Sequence, residues 1–187
     1  MPQQTGPQSN QGLIGKGIKA GLNFATIGGD DTGEVDTRIA FAVGGFLVYG
    51  MGSMSVQMEG FLSQKGYLIP TPESGDITAA YTYLEVPVSL RFDIATGGQM
   101  TPYLFGGGAL AVLVTAEASL AGESVDIEDT SPIDAGVVVG AGLQMPAGAG
   151  QFIGEVRYTY GLLTIDASDN EFEAYNRVLT LLAGYSF

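Results

Sequence analysis

The chain has 187 residues, of which 7 are basic and 20 acidic, and this net charge of −13 argues against nucleic acid as a partner because phosphate binding needs clustered Lys and Arg. It contains no cysteine and no histidine, which excludes disulfides, thiolate chemistry, Ser-His and Cys-His catalysis and ordinary zinc sites. Its length suits one domain or one small barrel. We therefore expect a protein without cofactors and without enzymatic activity.

The N-terminal stretch, residues 1–11, is polar and rich in turn-forming residues, without the basic and apolar regions of a secretory signal. Such a start fits a mature domain whose signal peptide has been removed, although a cytosolic protein would look the same. We expect residues 1–13 to form a flexible segment and residues 14–187 to form one folded domain. The long uncharged runs at 94–116 and 135–154 are interrupted by proline and glycine, so neither predicts a membrane-spanning helix.

Apolar and polar residues alternate with the two-residue period of β-strands along most of the chain. In the first such segment, Ile18, Leu22 and Phe24 lie on one face, and Lys19 and Asn23 lie on the other. The pattern recurs at 38–48, 54–65, 83–93, 134–144, 151–162 and 178–187. The segment at 102–116 gives an eighth strand, whose two faces the pattern does not distinguish.

The lengths of the strands and of their connections indicate a membrane. Strands of about 10 to 14 residues exceed the 5 or 6 typical of soluble sheets and match the 9 to 11 tilted residues that cross a bilayer. Long polar loops at 28–37, 66–80, 117–133 and 166–175 alternate with short turns at 49–53, 94–101 and 146–150. This arrangement predicts an all-β fold, an eight-stranded antiparallel up-and-down transmembrane β-barrel in the bacterial outer membrane, with both termini periplasmic.

A soluble lipocalin-like ligand-binding barrel, with its apolar faces inside, is the alternative fold. The polar faces are mostly Gly, Ala, Ser and Thr, which suits a narrow interior better than a solvated exterior. The tyrosines also collect near predicted strand ends, so we predict two aromatic girdles at the membrane interfaces. The predicted girdles comprise Tyr67, Tyr81, Tyr83, Tyr160 and Tyr175 at the loop end and Tyr49, Tyr103, Tyr185 and Phe187 at the turn end.

The faces assigned to the interior carry five basic and five acidic residues. The predicted interior charge network comprises Lys19, Arg38, Glu59, Lys65, Glu85, Arg91, Asp93, Asp134, Glu155 and Arg157. Isolated ions in a narrow barrel would cost several kcal/mol each, so we expect these side chains to be paired and to plug the lumen. A lining for ion or proton passage is one alternative. Another is a carboxylate pair formed by Glu59 and Glu85, which neighbouring cations disfavour.

The other acidic residues lie almost wholly in the four long loops, where no Lys or Arg offsets them. We expect either a hydrated surface that opposes aggregation, or divalent-cation binding that ties the loops to one another or to lipopolysaccharide phosphates. The candidate metal ligands are Asp126, Glu128, Asp129, Asp166 and Asp169.

Six blocks follow one another along the chain: "MSVQMEGFLSQKG", "YTYLEVPVSLRFD", "PYLFGGGALA", "DAGVVVGAG", "EVRYTYGL" and "GYSF". In order and spacing they resemble the PorT-like outer-membrane β-barrel domain family, over nearly the whole chain from Gly15. The resemblance implies an eight-stranded barrel from a family whose members mostly have no assigned activity. It also implies that Tyr185 and Phe187 form a C-terminal signal for the barrel-assembly machinery, although Phe187 could equally be one more interfacial aromatic.

The sequence as a whole predicts a monomeric outer-membrane barrel with a lumen plugged by side chains and a structural or interaction role through acidic extracellular loops. The expected partners are outer-membrane lipid and lipopolysaccharide, the barrel-assembly machinery during insertion, and divalent cations at the loops. A narrow channel for ions or small solutes is the functional alternative.

Overall fold

The computed structural model describes residues 11–28, 35–71, 76–120, 123–127, 130–165 and 174–187. Nine β-strands account for nearly all of them. The strands are β1 (Gln11–Gly28), β2 (Asp36–Met51), β3 (Ser55–Ile69), β4 (Ile77–Asp93), β5 (Thr101–Leu120), β6 (Glu123–Asp126), β7 (Ile133–Ala147), β8 (Gly150–Thr164) and β9 (Tyr175–Ser186). The described ranges contain no helix that is long and apolar enough to span a bilayer.

The eight long strands close into a barrel. Each pairs antiparallel with its neighbours, and the ring closes where β1 pairs with β9 and β4 pairs with β5. Strand β6 lies outside the ring and pairs with the end of β5. The predicted eight-stranded antiparallel up-and-down barrel is therefore confirmed.

The strands extend further at the loop end than the sequence predicted. β5 runs to Leu120 and pairs with β6, from Glu117 with Asp126 to Leu120 with Glu123, where we expected only a polar loop. A hairpin that leaves the membrane is solvated on both faces, so its backbone pairing continues although the apolar alternation ends. At the other end the connections are short, and Gly148 takes a left-handed conformation with φ 63° in the β7–β8 turn.

The apolar faces of the strands point outward. Ile18, Leu84 and Leu110 are 61%, 54% and 65% exposed, whereas the alternating positions on the same strands are buried in the lumen. This is the reverse of the lipocalin-like alternative, which needs the apolar faces inside. On β5, whose faces the sequence left unassigned, Tyr103 and Phe105 point inward.

The girdle prediction was wrong for four tyrosines, one of which is Tyr67, whose ring centroid lies 6.4 Å from that of the buried Tyr81 in an inner apolar cluster. Tyr81, Tyr83 and Tyr103 are at most 5% exposed and point into the lumen. Nearness to a strand end does not decide the face of the sheet, and a buried tyrosine ring can fill volume while its hydroxyl meets the polar groups of the interior. Tyr49 near the turn end and Tyr160 near the loop end do face outward, each 47% exposed.

Inward glycines on β7 make room for the aromatic rings of β5. A Cβ atom added to Gly142 would lie 2.1 Å from Cζ of Tyr103, and one added to Gly140 would lie 2.4 Å from Cζ of Phe105. Both distances are far below van der Waals contact, so only glycine fits beside these rings. The glycine-rich inward face of β7 is thus filled by side chains from its neighbour.

Candidate functional site

Four charged side chains form a closed ring of ion pairs in the lumen, which we call the central ring: Lys19, Glu59, Glu155 and Arg157. Lys19 Nζ lies 2.7 Å from Glu59 Oε1 and 2.6 Å from Glu155 Oε2. Across the ring, Arg157 Nη1 lies 2.9 Å from Glu59 Oε2, and both Nε and Nη2 of Arg157 donate to Glu155 Oε1. The four residues come from β1, β3 and β8, and none is more than 5% exposed.

Aromatic rings enclose the central ring. Lys19 Nζ lies 4.8 Å from the centroid of the Phe46 ring, and the Arg157 guanidinium lies 5.0 Å from that of Phe61. The Tyr103 hydroxyl donates to Glu155 Oε2 at 2.7 Å. The two positive and two negative charges of the central ring therefore cancel inside an enclosure that excludes bulk water. In such surroundings the attraction between paired charges is stronger than in water.

A second ion-pair layer lies nearer the loop end. Lys65 Nζ is 2.9 Å from Glu85 Oε2 and 3.4 Å from Asp134 Oδ2, and Asn176 Nδ2 donates to the same Asp134 oxygen at 2.8 Å. The Lys65 ammonium also lies 5.1 Å from the centroid of the Tyr83 ring. Glu59 and Glu85 thus belong to different layers, each paired with its own cations, and not to one carboxylate pair.

An apolar cluster covers this second layer at the loop end. The cluster comprises Ile27, Ala79, Tyr81, Tyr83, Ala111, Ile165 and Ala174, each at most 6% exposed. Ile165 and Ala174 reach it from the segments just outside β8 and β9, where Ile165 N donates to Ala174 O at 2.9 Å. The loop end of the lumen is therefore closed by hydrocarbon as well as by ion pairs.

The third layer lies near the turn end and is partly open. Arg91 Nη2 is 2.7 Å from Asp93 Oδ1 and also donates to Gln144, while the guanidinium stacks 3.6 Å from the centroid of the Tyr103 ring. A polar cavity of about 390 Å³ adjoins this layer, with Gln151 also in its lining. Arg91 is 2% exposed, so it forms the floor of this cavity.

Among the five basic residues of the predicted network, Arg38 alone has no carboxylate partner within the described residues. It is half-buried near the loop end, where Nη1 donates to the backbone oxygen of Lys65 at 3.1 Å and Nη2 to Gln64 Oε1 at 2.8 Å. A carbonyl and an amide thus hold the cation instead of an ion pair.

Sequence reasoning did not identify the neutral polar side chains that lie between the central ring and the second layer. Thr180 Oγ1 donates to Asn23 Oδ1 at 2.8 Å, and Asn23 Nδ2 donates to Ser63 Oγ at 3.0 Å. The alternation of faces along each strand places Asn23 and Thr180 on the inward side, and this signal was available in the sequence. For Tyr103 the sequence held no such signal, because β5 is apolar on both faces.

Of the five candidate metal ligands only Asp126 lies within the described residues; Glu128, Asp129, Asp166 and Asp169 lie outside them. Across the described parts of the chain, no group of three or more acidic side chains is placed to hold a metal ion. The two residues of the proposed C-terminal signal lie on the outward face of β9 and just beyond it. Tyr185 donates its hydroxyl to Ala147 O at 2.8 Å, and Phe187 is 64% exposed.

The outer surface carries a broad apolar band between two outward-facing cations, Lys16 near the turn end and Arg177 near the loop end. Arg177 pairs with Thr26, ten residues along β1 from Lys16. That spacing corresponds to about 34 Å along the strand and, at the usual tilt of about 40°, about 26 Å along the membrane normal. This height matches the band of about 25 Å found on outer-membrane barrels.

A closed antiparallel barrel with an apolar outer band and a polar interior is an outer-membrane β-barrel protein. Neisserial surface protein A is similar over 94% of this chain and 98% of its own, with 16% identity and a TM-score of 0.58. Ail, the attachment invasion locus protein of Yersinia pestis, is similar over 95% of this chain and 99% of its own, with 20% identity and a TM-score of 0.51. At these identities the likeness concerns the fold.

The sequence model of the outer membrane protein beta-barrel domain family matches residues 4–167, and the chain belongs to this family. No curated protein matches the sequence at a significant level. The family match agrees with the predicted location in the bacterial outer membrane.

Proposed function

We propose that the protein is a non-catalytic outer-membrane barrel whose lumen is plugged by its own side chains, and that it acts structurally or through its acidic loops. In this proposal the loops are extracellular, the termini are periplasmic and the barrel is a monomer. The PorT-like resemblance remains a prediction within the broader family.

The central ring is the observation that carries the plugged-lumen proposal. Its four charges neutralise each other at 2.6–2.9 Å across the interior, which supports a lumen filled by side chains at this height. An ion entering the lumen would have to displace one of these contacts, at a cost of several kcal/mol for each charge left unpaired. The apolar cluster at the loop end adds a second barrier, since hydrocarbon does not solvate ions.

The charge distribution supports a cationic partner for the loops. All seven basic residues of the chain lie within β-strands, five of them inward, so the long loops carry only acidic charge. We propose that they bind divalent cations, and through these the phosphates of lipopolysaccharide. One crystal structure of Ail holds the heparin analogue sucrose octasulfate, and a sulfated ligand of that kind would be repelled by these loops.

Single-channel recording tests the plugged lumen directly. The barrel is refolded in detergent, its folding is checked by a gel shift between boiled and unboiled samples, and the current is recorded across a planar bilayer. A folded, silent barrel is the expected result. Discrete current steps that are abolished when Arg91 or Arg157 is replaced would instead establish the narrow-channel alternative, which the turn-end cavity of about 390 Å³ favours as an entrance.

A calcium titration tests the loops. In lipopolysaccharide micelles, Ca²⁺ should raise the melting temperature of the barrel, and EDTA should reverse the shift. Changing Asp126, Glu128 and Asp129 together to their amides should remove much of the shift, whereas the matched triple change of Asp36, Glu73 and Asp76 to their amides should retain more of it. Equal shifts in both variants would indicate a general charge effect without a defined cation site.

A further inference from the structure

The outer surface of β1, β2 and β3 has a groove within the apolar band, toward the turn end. Gly45 and Gly60 pair across β2 and β3, Ile18 pairs with Gly45 from β1, and all three residues face outward. The two glycines leave a groove of about 520 Å³, bordered by Leu47 and Met58.

The groove interrupts a wall of large side chains. The neighbouring outward positions on the same strands are Leu47, Leu62 and Met58, which are 44%, 40% and 40% exposed. An empty groove in a bilayer would forfeit dispersion contacts on both sides, so a hydrocarbon chain from the surrounding lipid is drawn into it. The outer surface thus has the shape of an acyl-chain site here.

A cation lies at the rim of the groove. Lys16 is exposed, its ammonium lies 5.6 Å from the centroid of the Phe187 ring, and Phe187 also lines the groove. The backbone oxygen of Lys16 accepts hydrogen bonds from Phe187 N at 3.0 Å and Ser186 Oγ at 3.1 Å, which fixes β1 against β9 at this point. Lys16 forms no ion pair with any described residue, so its charge is available to a ligand.

We propose that this groove binds one anionic phospholipid from the leaflet at the turn end. The lipid phosphate lies against Lys16, at the edge of the apolar band, and one acyl chain lies over Gly45 and Gly60. Charge complementarity selects this occupant, because a headgroup with net negative charge meets an unpaired cation beside a hydrocarbon groove. A second copy of the chain is disfavoured, since a two-fold contact through the groove would bring two Lys16 ammonium groups together.

The two glycines allow a variant that fills the groove without distorting the barrel. A Cβ atom added to Gly60 meets no atom within 4 Å, so Gly60→Leu extends into the groove. Gly154→Leu is the matched control: Gly154 also faces outward, on β8, and its added Cβ likewise meets nothing within 4 Å. Lys16→Gln removes the cation and keeps the groove.

Native mass spectrometry of the refolded barrel, titrated with phosphatidylglycerol or phosphatidylcholine, counts the bound lipids. The wild-type protein and Gly154→Leu should each bind one phosphatidylglycerol molecule with higher affinity than phosphatidylcholine. Gly60→Leu should lose this bound lipid. Lys16→Gln should bind phosphatidylglycerol about fivefold more weakly than the wild-type protein does, which corresponds to the roughly 1 kcal/mol contributed by one cation at a membrane surface. Its affinity for phosphatidylcholine should be unchanged. Equal lipid retention by Gly60→Leu and Gly154→Leu, or a wild-type dimer that Gly60→Leu dissociates, would overturn the proposal.

Discussion

Replacing Arg157 by methionine tests whether charge pairing holds the central ring together. Arg157 contacts both carboxylates of the ring, at 2.9 Å to Glu59 and through two donors to Glu155. The side chains of Glu59 and Glu155 are 1% and 0% exposed, so water cannot replace the lost guanidinium. Lys19 alone would then face two carboxylates.

We expect Arg157→Met to lower the free energy of unfolding by about 3–5 kcal/mol, the usual cost of removing one partner of a buried ion pair. The double variant Arg157→Met with Glu59→Leu removes one charge of each sign and leaves the 2.6 Å pair of Lys19 with Glu155. Because replacing a buried pair by apolar groups is often nearly neutral, the double variant should lose at most about 2 kcal/mol. The second substitution should therefore restore stability.

Urea titration in detergent micelles gives the free energies by linear extrapolation, with far-UV circular dichroism and gel mobility of unboiled samples as separate readouts. Arg177→Met is the control, since the outward Arg177 stacks 3.5 Å from the Tyr160 ring centroid and should contribute about 1 kcal/mol or less. If the double variant is no more stable than Arg157→Met, the loss comes from packing and the charge-pairing argument fails.

The packing of the barrel wall, its contact with lipid and the role of its last residue can each be tested by one substitution. Gly142→Ala should lower the free energy of urea unfolding by about 1–3 kcal/mol, because its added Cβ would lie 2.1 Å from Cζ of the buried Tyr103 ring. Gly60→Ala should change this free energy little, because its added Cβ meets no atom within 4 Å. Equal losses in the two variants would contradict the proposed ring packing. Leu181→Arg places a charge near the middle of the outer band. It should lower the free energy of unfolding in lipid vesicles by about 2–4 kcal/mol. An unchanged stability would argue that this face does not contact lipid. Phe187→Ala should slow insertion by purified barrel-assembly machinery while leaving spontaneous refolding in detergent unchanged; parallel slowing of both would make Phe187 an interfacial aromatic only.

The chain itself carries much of the fold information. On β1, the alternation of Ile18 and Leu22 with Lys19 and Asn23 assigns both faces, because successive side chains of a strand point to opposite sides. Strand count and closure follow from the repetition of that pattern and from the need to pair every backbone group within a membrane. Inward parity likewise selected all four residues of the central ring.

The partners of those inward charges depend on register, which is a tertiary property. Glu59 and Arg157 are 98 residues apart in sequence and meet only because ring closure brings β3 and β8 to opposite sides of one narrow lumen. Parity specifies the face of a side chain and not its height in the barrel, so it could not predict that Glu59 and Glu85 belong to different layers. The same limit explains the tyrosines: Tyr103 lies near a strand end, but the strand register and the space left by Gly142 turn its ring inward, where its hydroxyl meets Glu155. Where apolar and polar residues alternate, the sequence by itself determined which side chains face lipid and which face the lumen. Only the closed barrel decided the faces of β5 and which inward side chains touch, because contact across a barrel depends on strand order and stagger.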